Sequence, residues 1–251
     1  EKAEALLERM LSEGLEPDRR TYSSVIAKGL EPNVVTFTSV IAARAKHGDG
    51  ENAWAKHGDG EKAEALLERM LSEGFEPDVV TFNSMIAAWA KNGDGEKAEA
   101  LLERMLSEGL EPDVVTYSSV IVAWAKQGDG EKAEALLECM LSKGPTPNVV
   151  TFNSVIVAWK QQSNGEKAEN MIRRMISEGL KPNALTCHCV VVAWAKQGEV
   201  GKAQHELERM VKEFDVEPTK KTFHAVLQAR GQRVDDGRSS RCHERFTSLV
   251  E

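Results

Sequence analysis

Apolar residues recur at helical spacing along this chain, and the pattern itself recurs. In VVTYSSVIVAWAKQG (114–128), Tyr117, Val120, Ile121 and Trp124 fall at i, i+3, i+4 and i+7, one face of a helix. In DGEKAEALLECMLSKG (129–144), Ala133, Leu136, Leu137, Met140 and Leu141 draw a second helical stripe. Asp113 and Asp129 stand where helix N-caps belong, and Gly128 and Gly144 where helices end. Glu131 suits the positive end of the second helix. The spacing predicts two antiparallel helices joined by a short turn.

The string GDGEKAEALLERMLSEG occupies 58–74 and returns unchanged at 93–109; at 128–144 it returns with Cys139 and Lys143 substituted. Pro77, Pro112, Pro147 and Pro182 keep a period of 35, as do Trp54, Trp89, Trp124, Trp159 and Trp194, while Pro218 follows at 36. A period in this range marks an array. Neither helix buries its stripe alone, whereas stacked pairs bury a continuous core, so the expected fold is all-α, an α-solenoid of helix-turn-helix units. The units are 34–78 (with an insertion), 79–113, 114–148, 149–183 and 184–219. Partial or truncated units stand at 1–18, 19–33 and 220–230, and the polar, Arg-rich 231–251 is a tail or cap. AKHGDGENAW (45–54) is nearly duplicated by AKHGDGEKAE (55–64), so the array should kink or lose order between about 28 and 60.

Composition adds bounds. No apolar run among the 251 residues approaches the roughly 20 that span a bilayer, which argues against a membrane protein. Four cysteines without a paired framework point to a reducing compartment. Glu1 opens in mid-repeat with neither Met nor targeting segment, so a processed or partial chain is expected. The net charge of −8 speaks against nucleic acid until the charges are located. Val79–Asn92 and Val114–Gln127 each carry a lysine and no acidic residue; the acids lie in the second helices and turns.

The unit VVTYSSVIVAWAKQGDGEKAEALLECMLSKGPTPN resembles the pentatricopeptide repeat, whose pattern is VVTYNxLI…AxxxxGxxxxAxxLFxxMxxxGxxPD. VVTFNSMI (79–86), Gly93, Ala98, Met105, Gly109 and Pro112-Asp113 match it. A tetratricopeptide array would have a 34-residue period and its own small-residue pattern, absent here. The resemblance implies a right-handed superhelix whose first helices line the concave side. It further implies binding of single-stranded RNA in a mitochondrion or chloroplast, one base per repeat.

Carried over by position, the base-reading residues are the fifth and last of each unit: Thr38 with Asp78, Asn83 with Asp113, Ser118 with Asn148, and Asn153 with Asn183. The second residues, Val35, Val80, Val115, Val150 and Leu185, would sandwich the bases. A carboxylate accepts the imino N–H of G or U, and an Asn amide donates to the ring nitrogen of A or C. By the family rule these pairs spell 5′-GUAC-3′. Ser23 with Asn33, in the truncated unit, would suggest A by the same rule, whereas His188 with Thr219, and His224, match no pairing. Lys46, Lys91, Lys126 and Lys196 share one late position and form a candidate phosphate-contacting stripe, broken at Lys160-Gln161.

Plainer roles stay open beside these. The last residues also suit helix caps, the lysines a solvated edge, and the tryptophans core packing. Cys187-His188-Cys189 lacks the ligand number and spacing of structural zinc. His205-Glu206 lacks the second histidine of HExxH, and no HxE with CxxC of a deaminase is present. The expectation is a non-enzyme without cofactor, metal or small-molecule substrate. A second reading makes the array a scaffold subunit of a large organellar complex, a ribosome for example, contacting protein.

Overall fold

The computed structural model describes residues 53–72 and 74–230. The units at 1–18 and 19–33, the positions Val35, Thr38 and Lys46, and the tail 231–251 lie outside the described residues. The described residues form ten α-helices and no strand: α1 (Ala53–Ser72), α2 (Val79–Asn92), α3 (Gly95–Ser107), α4 (Val114–Gln127), α5 (Gly130–Lys143), α6 (Val149–Gln161), α7 (Gly165–Ser177), α8 (Ala184–Lys196), α9 (Val200–Lys212) and α10 (Lys220–Ala229). None of them is long and apolar enough to cross a membrane. The chain divides into two compact units between Ala123 and Trp124, inside α4.

The sequence stripes are the core. Tyr117, Val120, Ile121 and Trp124 are buried, and so are Ala133, Leu136, Leu137 and Met140; Leu141 sits half-buried at the stripe's edge. Burying such a side chain contributes roughly 1.5–3 kcal/mol. In the first compact unit α1 packs on α2 and α2 on α3. In the second, α5 packs on α6, α6 on α7 and α8, α7 on α8, α8 on α9 and α10, and α9 on α10. α6 and α8 are thus each held by the second helix before, their own second helix and the next first helix.

Helix ends follow the local chemistry. At the end of α4, Gly128 takes the left-handed backbone (φ 80°) while the Asp129 N–H reaches back to the Trp124 carbonyl at 3.0 Å. Asp129 then caps α5 by accepting from the Lys132 N–H at 2.9 Å. One stretch departs from expectation. A kink or loss of order is expected between about 28 and 60, yet Ala53–Ser72 is one continuous helix of 20 residues. The six residues ENAWAK between the two HGDG copies are too few to make a stable helix of their own. Without a hairpin to close, the interior glycines cost only about 1 kcal/mol each.

A glycine–tryptophan stack joins successive repeats. A Cβ placed on Gly60 would lie 2.7 Å from the Trp89 ring, on Gly130 2.6 Å from Trp159, and on Gly165 2.2 Å from Trp194. The ammonium groups of Lys97, Lys167 and Lys202 lie 5.4, 5.2 and 4.2 Å from the Trp89, Trp159 and Trp194 ring centres. The buried indole N–H groups of these three tryptophans have no protein partner, so shape and not hydrogen bonding seats them. Val200 takes the glycine's place in α9, and the corresponding position of the following repeat is Arg230, not tryptophan. On the second helices, Lys97–Glu64 (3.5 Å), Arg104–Glu68 (2.9 Å), Lys167–Glu134 (3.2 Å) and Arg174–Glu138 pair across repeats. Part-exposed pairs of this kind contribute about 0–1 kcal/mol each.

Gly165→Ala is expected to lower the unfolding free energy by about 1–3 kcal/mol through overpacking against Trp194. Gly201→Ala, where a Cβ meets nothing within 4 Å, is expected to leave it unchanged or raise it by up to about 1 kcal/mol. Urea unfolding of the two variants checks the contrast.

Candidate nucleic-acid interface

In the four repeats that begin at 79, 114, 149 and 184 the second residue is an aliphatic side chain left in water. Val80 is 58% exposed, Val115 56%, Val150 62% and Leu185 50%. The fifth residue lies three positions on, hence on the same helix face. Asn83, Ser118 and His188 are half-buried there and Asn153 is buried.

Two of the predicted reading pairs come together. Asn83 Nδ2 donates to Asp113 Oδ1 and Oδ2 at 3.2 and 3.3 Å. Asn153 Nδ2 donates to Asn183 Oδ1 at 3.4 Å. Residues that the sequence reading left without a role hold these pairs. The Thr116 hydroxyl lies 2.6 Å from Asn83 Oδ1, and the Thr186 hydroxyl 2.6 Å from Asn153 Oδ1. The third residue of every repeat from 79 onward is such a threonine (Thr81, Thr116, Thr151, Thr186, Thr222), each fully buried. A hydroxyl recurring at the third position of an apolar stretch is the sequence signal for them.

The last residue of each repeat also caps the next first helix. Asp113 Oδ1 accepts the Thr116 N–H at 2.8 Å, and Asn183 Oδ1 accepts the Thr186 N–H at 3.0 Å. Asp78 does the same for Thr81 at 2.8 Å, and Asn148 for Val150 and Thr151 at 2.9 and 3.1 Å. Capping and pairing are therefore compatible, and the cap decides what remains. With one oxygen turned inward, an aspartate keeps a second acceptor oxygen, whereas an asparagine keeps only its NH₂ donors. Burial pushes the Asp113 carboxyl upward, but bonds from the Thr116 N–H and hydroxyl and from Asn83 outweigh it and hold the group below its ordinary value of 3.8.

Lys91, Lys126 and Lys196 stand in the last turns of α2, α4 and α8, the latter two exposed. They follow the fifth positions by eight residues, about 12 Å along the helix axis. The first helices α2, α4, α6, α8 and α10 contain no Asp or Glu. Lys160 takes the place that Ala90, Ala125 and Ala195 hold elsewhere.

The other singled-out residues serve the core. Cys187 and Cys189 are buried, and burial, with a lesser push from Glu206, takes the Cys187 thiol up to about 12. Glu206 replaces a stripe leucine and bonds Arg209 at 2.6 Å.

The PPR repeat family model matches residues 52–88, 77–124 and 112–158, the PPR repeat model 150–180, and the pentatricopeptide repeat domain model 170–233. The chain belongs to the pentatricopeptide repeat family. No curated protein matches it. Among solved structures it resembles the pentatricopeptide repeat protein PPR10 from maize at 20% identity and a TM-score of 0.52, over 90% of this chain and 38% of that one. PPR10 in complex with an 18-nt psaJ RNA element matches at 23% identity and 0.60, over 98% and 43%. The PPR domain of Arabidopsis thaliana protein-only RNase P 1, in complex with tRNA, matches at 16% and 0.60, over 81% and 99%. The chain thus spans about two fifths of PPR10, and these identities speak for the shared helical-repeat fold.

Asp113's contribution to stability should be fully present above pH 3.8 and fade as pH falls through its lower folded value. The stability gap between the wild type and Asp113→Asn, measured by urea unfolding, is expected to be larger at pH 7 than at pH 3.

Proposed function

We propose that this pentatricopeptide repeat chain binds single-stranded RNA in a mitochondrion or chloroplast, reading one base per repeat, with the core preference 5′-GUAC-3′. The observation that carries this reading is the repeated cluster of an exposed aliphatic second residue beside a threonine-held fifth residue and a capping last residue. Bases would lie between Val80, Val115, Val150 and Leu185, as apolar surface offered to flat rings. Asp113 Oδ2, which accepts from Asn83 Nδ2 and takes no part in the cap, would accept the imino N–H of U with its remaining lone pair. The NH₂ of Asn148 would donate to A and that of Asn183 to C. Thr38 with Asp78 is assigned G on the family rule alone. Lys91, Lys126 and Lys196, with Lys46, would meet phosphates. The acid-free first helices offer RNA a favourable face despite the net charge of −8. The RNA complex of PPR10 supports the class of ligand.

The experiment is a titration of short RNAs carrying GUAC, GCAC and scrambled cores at two salt concentrations. The wild type is expected to prefer GUAC, with affinity falling as salt rises. Asp113→Asn keeps a helix cap but exchanges the outward acceptor for a donor. It is expected to move the preference to GCAC by about tenfold, one hydrogen bond's worth. Binding without core preference would leave only backbone contact. Absence of RNA binding, with stable co-purification in a large complex, would favour a scaffold.

A further inference from the structure

His188 occupies the fifth position of the repeat that begins at Ala184, where the sequence rule assigns no base. Its surroundings repeat the cradle of Asn83 and Asn153. His188 Nδ1 lies 3.0 Å from the Thr222 hydroxyl, just as those amide oxygens lie against Thr116 and Thr186. Leu185, on the same face, is half exposed. The capping partner differs. Thr219 Oγ1 accepts the Thr222 N–H at 3.3 Å and shares a hydrogen bond with Thr222 Oγ1 at 3.0 Å. Thr219 keeps one further site, a lone pair if it donates to Thr222 and its O–H if it accepts, so it adds no fixed preference, and Nε2 is the ring nitrogen left unbonded.

The hydroxyl chain runs in either sense. If Thr219 donates to Thr222 and Thr222 to Nδ1, the ring proton sits on Nε2, a donor. If Nδ1–H donates to Thr222 and Thr222 to Thr219, Nε2 is an acceptor. Protonation removes the choice, because both ring nitrogens then donate. Resting on the base-reading function proposed above, we infer that His188 is a fifth base-contacting residue whose selectivity depends on pH. Neutral His188 tolerates every base. The charged ring selects adenine or cytosine, which carry an acceptor nitrogen on the Watson–Crick edge, over guanine and uracil, which carry N–H there.

The groups acting on this ring are cationic. Burial lowers its pKa from the ordinary 6.5, and Lys160 on α6 and Lys221 on α10 lower it further. His224 is exposed one turn along α10 from Lys220 and Lys221. On α9, Arg209 is taken by Glu206 and Glu213, with Glu169 of α7 at 3.8 Å. Lys160 and Lys221 attract RNA whatever its sequence, so they cancel when RNAs are compared at one pH.

The test uses the whole 251-residue chain and four RNAs, 5′-GUACN-3′ with N = A, C, G or U, titrated at pH 8 and pH 5 beside a scrambled core. At pH 8 the four are expected to agree within about twofold. At pH 5 the A and C forms are expected to bind about tenfold tighter than the G and U forms, one charge-assisted hydrogen bond. His188→Gln is expected to abolish the pH-dependent contrast. Identical ranking of the four at both pH values, with GUAC still preferred over the scrambled core, overturns the role of His188 and leaves the base-reading function standing. Contrast that persists in His188→Gln overturns it equally. Loss of the GUAC preference at both pH values overturns the base-reading function and this inference together.

Discussion

A helix that begins at an exposed turn must satisfy its first N–H groups, and here one side-chain oxygen per repeat caps each first helix. That requirement organises the surface. The capping oxygen must turn inward, which forces the remaining polar group of the same side chain outward. Asp113 and Asn183 have nearly the same shape and make nearly the same cap, yet they leave opposite hydrogen-bonding characters in solvent. Chemical identity at one atom can therefore change without disturbing the fold. The buried threonine completes the arrangement by fixing which end of the neighbouring amide faces the pair.

Much of this was legible in the sequence, for separable physical reasons. Helical stripes are periodic and local, so the burial of Tyr117, Val120, Ile121 and Trp124 followed from spacing. Caps are local too, and Asp129 and Gly128 sit where the pattern put them. The pairing of Asn83 with Asp113 spans 30 residues and came only through family likeness; spacing does not carry it. The threonines were overlooked because a buried hydroxyl in a VVT string reads as an ordinary β-branched helix residue. Gly130 and Gly165, which open α5 and α7, carry no signal of their own in one repeat; they leave room for an indole one repeat later. That relation becomes visible in sequence once Gly165 with Trp194 is set beside Val200 with Arg230. The near-duplication of 45–54 by 55–64 suggests a kink or loss of order, yet from Ala53 to Ser72 the backbone is one continuous helix, because a duplication in sequence does not by itself break helical hydrogen bonding.

Charge is sorted by helix and not by total. The first helices hold lysine alone, and the carboxylates of the second helices are drawn into pairs such as Arg104–Glu68 and Lys167–Glu134. An acidic chain thereby keeps one row of helices free of acid.

The glycine–tryptophan stack also gives the repeats a direction. A unit offers a shallow socket forward, at Gly130 or Gly165, and a plug backward, at Trp159 or Trp194. Parts with matching plugs and sockets are interchangeable, so the stretch that bears them is open to growth, loss and reshuffling of whole repeats with the joints intact. Val200 closes that series: a socket filled by its own side chain ends the run of exchangeable parts, and whatever follows must be joined by other means.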